Sequence, residues 1–93
     1  MKLTVEDKKI LREFGHKENK ELKQIERAIS KTTFTVFTRG KCDEKEISLI
    51  DALELLDRKE FLSGIGRSAF HWSSVRDTKD GRCVYFDSSR FFK

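Results

Sequence analysis

The sequence predicts a small α+β domain in which helices pack on a three-stranded antiparallel sheet. Three observations lead to this prediction. Apolar residues recur at helical spacing in the N-terminal third, a β-branched and aromatic run follows, and an Asp-Gly turn joins two strand-like runs near the end. A chain of 93 residues is long enough for one modest core. We therefore expect residues 1–93 to form a single domain with the element order α-α-β-α-α-β-β.

The first two helices are predicted from capping signals and apolar spacing. Thr4 and Asp7 form a capping-box-like start, so the first helix should run from about Val5–Phe14. Gly15 follows at the position where a C′ residue belongs. The range Glu18–Lys31 carries apolar residues three and four apart, which predicts a second helix. The short connection between them predicts an antiparallel helical hairpin.

The three strands are predicted from residue type and turn chemistry. The range Thr33–Thr38 is all β-branched or aromatic, which is typical of a strand. The charged run Asp43–Glu46 is interpreted as an exposed loop. The ranges His71–Asp77 and Arg82–Asp87 flank an Asp-Gly turn and predict a hairpin that the first strand joins.

Two further helical segments are predicted between the first and second strands. Ser48 is a candidate N-cap, and residues 57–58 should break or bend the helix before the range Lys59–Phe70. Gly64 and Gly66 each cost roughly 1 kcal/mol against alanine inside a helix. Their presence predicts either close packing against another backbone or a break in the helix.

The predicted core is rich in phenylalanine. Eight Phe stand against one Trp and one Tyr, and Phe contributes apolar area without a polar group, so most of these rings should be buried. The expected core comprises Leu11, Phe14, Ile25, Ile29, Phe34, Val36, Leu53, Leu56, Phe61, Ile65, Phe70, Val84 and Phe86.

Composition excludes several classes of protein. No apolar run approaches the about 20 residues that a membrane span needs, and the first three residues lead directly into charged ones, so neither a span nor a secretory signal is expected. Two cysteines are too few for a disulfide framework, which favours a cytoplasmic protein with reduced thiols. The sequence contains no nucleophile-elbow, zinc-protease or phosphate-loop motif, so we do not expect an enzyme.

The two cysteines are nevertheless candidate metal ligands. If the first strand runs antiparallel to the last one, Cys42 and Cys83 lie at the same end of the sheet. They could then hold a structural Zn²⁺ whose remaining ligands come from Asp43, Asp77 or Asp80, from a histidine, or from a second subunit. The alternative interpretation is two unrelated reduced cysteines, with Cys83 acting as a small strand hydrophobe.

Nucleic-acid binding is a second functional interpretation. Two adjacent helical segments followed by a basic hairpin have the order of a winged helix-turn-helix. In that arrangement the groove-facing residues would be Lys59, Ser63, Arg67 and Ser68, and the wing residues would be Arg76, Lys79 and Arg82. The mainly apolar run at residues 61–66 and a net charge of only +4 count against it.

Protein binding is the third interpretation, and the residue types favour it. Arginine and aromatic residues are concentrated between residues 66 and 92, and these types dominate interface hot spots. The candidate contact residues are Arg67, His71, Trp72, Arg76, Arg82 and Arg90.

Three segments also carry a resemblance to known proteins. Residues 32–36 (TTFTV), residues 61–72 (FLSGIGRSAFHW) and residues 80–89 (DGRCVYFDSS) resemble small accessory proteins of Firmicutes phages and conjugative elements. The likeness spans residues 32–89 and leaves the N-terminal helices outside it. It implies an accessory function in the cytoplasm of a bacterial host. The class it suggests is an anti-CRISPR-type inhibitor that binds a type II CRISPR effector nuclease and blocks loading or cleavage of target DNA. An excision or transcription factor of the same kind of element is the alternative.

Overall fold

A computed structural model describes residues 1–92 as an α+β fold. The helices are α1 (Val5–Glu13), α2 (Asn19–Lys31), α3 (Leu49–Leu55) and α4 (Arg58–His71), and a short 3₁₀ turn covers Ser88–Arg90. The strands are β1 (Phe34–Phe37), β2 (Lys45–Ile47), β3 (Ser73–Asp77) and β4 (Cys83–Asp87). Every predicted helix and strand is present, with ends shifted by one or two residues.

The sheet has four strands in the order β2-β1-β4-β3, and all neighbours are antiparallel. The first strand joins the hairpin as predicted, with Thr35 opposite Tyr85. The prediction of three strands was wrong, because the charged run taken for a loop continues into β2, where Ile47 pairs with Phe34. Lys45 and Glu46 are exposed on this edge strand. An edge strand tolerates such charges, which hid its strand character in the sequence.

The helix starts follow their caps. Thr4 and Asp7 form a complete capping box at α1, and Ser48 caps α3. The predicted break is also present, because Asp57 caps α4 directly after α3 ends. The predicted antiparallel arrangement of α1 and α2 is present, since the Leu3 amide just before α1 donates to Glu26 in the second half of α2 at 2.7 Å. Helix α1 also packs against α4. None of the helices described is long and apolar enough to span a membrane.

Helix α4 is continuous through both of its glycines, and aromatic side chains occupy the space of their missing side chains. A Cβ atom on Gly64 would lie 2.6 Å from Cδ2 of Phe86, and one on Gly66 would lie 2.9 Å from Cγ of Phe14. The close packing predicted for these positions is therefore present, but against rings instead of another backbone.

One apolar cluster forms the core, and most of its predicted members are buried. The predicted core residues that are buried are Leu11, Ile25, Ile29, Phe34, Val36, Leu56, Phe61, Ile65, Val84 and Phe86. The core also contains buried residues outside the predicted set, namely Leu3, Leu22, Ala52, Leu62 and Phe91. Phe14 and Leu53 are only half-buried. Phe70 was wrongly assigned to the core and is 60% exposed. The buried stripe of α4 continues from Ile65 to Ser68, which leaves Phe70 on the solvent side.

The helices cover one face of the sheet. Their buried side chains share a cluster with Phe34, Val36, Val84 and Phe86, which alternate along β1 and β4. The other face carries Thr35, Phe37 and Tyr85, which lie outside this cluster.

Candidate functional site

The last turn of α4 presents aromatic and basic side chains to solvent. Arg67, Phe70 and His71 are exposed and lie three and four residues apart, so they share one side of the helix. Trp72 follows directly and is 84% exposed. We call these four residues, Arg67, Phe70, His71 and Trp72, the aromatic end of α4.

The backbone of Trp72 adopts a conformation that bulky residues avoid. Its φ is 67° and its ψ is −27°, and no other non-glycine residue among residues 1–92 has a positive φ. The cause is local, because α4 ends at His71 and β3 begins at Ser73, leaving one residue to reverse the chain. The Trp72 carbonyl accepts a hydrogen bond from the Ser88 amide at 3.0 Å, which ties this turn to the end of β4.

Stability does not account for a tryptophan at this position. Left-handed backbone costs an L-residue roughly 1–2 kcal/mol, and glycine is the usual residue at such a helix end. The indole also contributes little burial, because most of its surface faces solvent. An exposed aromatic residue in a strained conformation is a signal of a binding surface.

A buried histidine packs beside the aromatic end of α4. His16 lies in the α1–α2 connection, where its Nδ1 bonds the Glu21 carboxylate and its Nε2 lies 3.2 Å from the Gly66 carbonyl. Its ring stacks on Phe92 with centroids 4.9 Å apart and lies 6.0 Å from the Phe70 ring. These contacts hold the last turn of α4 in a fixed position relative to α1 and α2. No residue spacing marks His16 as a contact of α4, because Gly66, Phe70 and Phe92 are distant from it in the chain.

The structure brings only half of the predicted contact residues together. Arg67, His71 and Trp72 belong to the aromatic end, whereas three arginines lie elsewhere and have partners. The Nε atom of Arg76 donates to Glu60 at 2.9 Å, and that of Arg82 donates to Asp80 at 2.9 Å in the β3–β4 turn. Arg90 donates to the Thr33 carbonyl at 2.8 Å beside β1.

Helix α4 exposes only part of the face that the DNA-binding interpretation predicts. It packs between α1 and the sheet, and Ser68 is fully buried with its hydroxyl donating to the Ile65 carbonyl at 2.7 Å. The expectation that Ser68 faces a DNA groove was therefore wrong. Lys59 and Arg67 are exposed and Ser63 is half-buried, so the DNA-binding alternative stays a prediction.

The two cysteines differ in environment. Phe37 at the end of β1 pairs with Cys83 at the start of β4, so Cys42 follows β1 at that end of the sheet, as expected from antiparallel pairing. Cys42 is exposed, and Cys83 is buried with its Sγ 3.5 Å from Oδ1 of Asp77. Burial and this carboxylate raise the pKa of the Cys83 thiol. Within residues 1–92 no three His, Cys, Asp or Glu side chains group as metal ligands, and the zinc site stays a prediction.

Comparison of the chain with protein-family models, with curated proteins and with solved structures finds no match. The chemistry of the aromatic end is the observation on which a function can be proposed.

Proposed function

We propose that this chain is a non-enzymatic inhibitor that binds its target through the aromatic end of α4. The target class is a type II CRISPR effector nuclease, whose loading or cleavage of target DNA the bound inhibitor would block. The observation that carries the proposal is Trp72, which is 84% exposed on a left-handed backbone that costs stability. The resemblance of residues 32–89 to accessory proteins of Firmicutes phages and conjugative elements supports the target class.

The aromatic end has the chemistry of an interface centre. Trp72 and Phe70 offer large apolar areas with few rotatable bonds, so their immobilisation on binding costs little entropy. Arg67 and His71 add hydrogen-bond donors beside these rings. Tryptophan and arginine are among the residue types most enriched at hot spots, where truncation of one residue to alanine costs about 2 kcal/mol or more.

Contacts within the chain also position the surface before binding. The Ser88 amide fixes the Trp72 carbonyl at 3.0 Å, and the His16 ring lies 6.0 Å from that of Phe70. A preorganised surface avoids part of the ordering cost of association. Inhibition by occupation of a surface requires no reacting group.

Binding to a purified type II effector loaded with guide RNA tests the proposal, with target cleavage as a second readout. Trp72→Ala should weaken binding by about tenfold or more, since a hot-spot loss of about 2 kcal/mol exceeds the 1.4 kcal/mol of one decade. Ile50→Ala and Val5→Ala are matched controls, because these side chains are 71% and 80% exposed on other helices. Both controls should bind and inhibit like the unaltered protein.

A second variant separates loss of the contact from loss of the fold. Trp72→Gly removes the indole but relieves the positive φ, so it should unfold at a higher denaturant concentration while binding weakly. If no type II effector binds, or if the Ile50 control loses as much affinity as the Trp72 variants, the proposal is wrong. Binding to duplex DNA with a steep salt dependence and none to effector would make the DNA-binding alternative correct.

A further inference from the structure

We propose that a cleft on the helix-free face of the sheet binds an arginine side chain of a protein partner. The cleft has a volume of about 350 Å³ and is lined by Thr35, Phe37, Glu44 and Tyr85. It lies on the face opposite α4, so it is a second contact surface. It does not depend on the function proposed for the aromatic end.

Strand alternation places the two rings of the cleft on one face. Thr35 and Phe37 are two residues apart in β1, and Thr35 is opposite Tyr85 in β4. Glu44 directly precedes β2, which flanks β1 on its other side. Two aromatic walls and one carboxylate therefore come from three adjacent parts of the sheet. Within residues 1–92 neither Phe37 nor Tyr85 stacks on another ring, so the space between them is open.

Glu44 differs from the carboxylates around it because it has no partner among the residues described. Glu46 accepts the Thr35 hydroxyl at 2.7 Å, and Asp43 accepts the Thr38 amide at 2.7 Å. Asp77 pairs with Arg39 at 3.1 Å. The hydrogen bonds from Thr33 and Thr35 lower the pKa of Glu46, and that from Arg39 lowers the pKa of Asp77. The neighbouring carboxylates thus have hydrogen-bond or ion-pair partners within the chain, whereas the Glu44 carboxylate lines the cleft without one among the residues described.

The chemistry of the cleft selects a planar cation. Aromatic faces attract a cation through their quadrupole, and an unpaired carboxylate beside them adds a charged acceptor. A guanidinium can stack on a ring and donate two parallel hydrogen bonds to a carboxylate at the same time, which an ammonium cannot do. The carboxylate repels nucleic-acid phosphates. A partner protein that presents an arginine is therefore the occupant that charge and shape favour.

Titration with acetyl-arginine-amide, followed by amide chemical shifts in NMR spectra, tests the site directly. We expect saturable shifts at Thr35, Phe37, Glu44 and Tyr85. The neutral isostere acetyl-citrulline-amide should give none, and acetyl-lysine-amide should bind more weakly. Glu44→Gln should lower the affinity for arginine by about three- to fivefold, which corresponds to the loss of one exposed ion pair.

Matched variants keep the test decisive. Glu54→Gln removes an exposed carboxylate of α3 and should leave the titration unchanged. Tyr85→Thr and Phe37→Thr keep strand-favouring residues while removing one ring each, and at least one should fold and bind arginine weakly. Shifts spread over many exposed carboxylates, an equal effect of citrulline, or no saturable shift at the cleft would overturn the site. Trp72→Ala should not change the arginine titration, so failure here is distinct from failure of effector binding.

Discussion

At the scale of single residues, the contact between Asp7 and Arg58 shows how the fold keeps a buried charge. The Asp7 side chain is buried, and its carboxylate accepts Nε of Arg58 at 2.8 Å and the Thr4 amide at 2.8 Å. Burial alone would raise the pKa of Asp7. The hydrogen bonds from Arg58 and Thr4 outweigh it, so the pKa lies below its usual value. Asp7 therefore links the start of α1 to the start of α4.

We expect Asp7→Asn to lower the free energy of unfolding at pH 7 by about 1–3 kcal/mol, the cost of a lost cap and charged hydrogen bond. Because the folded pKa of Asp7 is depressed, its contribution is fully present above the unfolded pKa of about 3.9 and is lost as pH falls through the folded pKa. Urea unfolding at several pH values should show the two proteins converging below about pH 4.

Asp51→Asn is the control for this pH dependence. Asp51 holds the equivalent position after the Ser48 cap of α3 but is exposed. Its replacement should change stability little. An equal loss in both variants, or a difference between Asp7→Asn and the unaltered protein that does not shrink as the pH falls below about 4, would contradict the account.

The cysteines give a second test at this scale. Cys42 is exposed, whereas Cys83 is buried and the pKa of its thiol is raised, so less thiolate is accessible there. At pH 8 iodoacetamide should modify Cys42 quickly and Cys83 only on unfolding, as read by mass spectrometry. A bound Zn²⁺ would instead protect both thiols until a chelator is added, and elemental analysis would find zinc that Cys42→Ser and Cys83→Ser remove.

At the scale of elements, α4 depends on two glycines that both lie against phenylalanine side chains. An alanine Cβ at Gly64 would meet the edge of the fully buried Phe86 ring, and one at Gly66 would meet Cβ and Cγ of Phe14, next to its backbone. Gly64→Ala should therefore destabilise by about 1–3 kcal/mol despite the higher helix propensity of alanine. Gly66→Ala should also destabilise, because rotation of the Phe14 ring does not move its Cβ atom. Thermal and urea unfolding of both variants measure these losses, and unchanged stability in either variant would show that the neighbouring phenylalanine is free to rearrange.

The elements that the sequence revealed are those with local signals. Thr4 and Ser48 cap α1 and α3 as predicted, and Asp57 caps α4 at the predicted break. The Asp-Gly turn joins β3 to β4. Strand β2 has no such signal, because two of its three residues are charged and its pairing with β1 is set by the sheet. The prediction that Phe70 is buried was wrong because α4 extends past the core at this residue. The spacing of apolar residues does not indicate where a helix leaves the core.

At the scale of the whole molecule, distant pairing decides which basic residues remain available. Arg76 pairs with Glu60 across 16 positions of the chain, and Arg39 pairs with Asp77 across 38. Such pairs cannot be predicted from local sequence. The sequence therefore does not distinguish arginines that pair with a carboxylate from arginines that stay available for binding. The aromatic end could be predicted in part, because His71 and Trp72 are adjacent in the chain and Arg67 lies one helical turn before His71. The cleft between Phe37, Tyr85 and Glu44 could not, because it requires the strand order.

The same pairing predicts weak binding to DNA. The formal net charge is +4, yet Arg82 is paired with Asp80 and Arg76 with Glu60 in the region where a wing would contact phosphates. Few phosphates can then be neutralised, so fluorescence anisotropy with duplex DNA should give a log–log salt slope of magnitude below about 2. Asp80→Asn, which releases Arg82, should raise that magnitude by at most about 1. A slope of several units in the unaltered protein would show that the basic hairpin binds the DNA backbone and that these ion pairs open on contact.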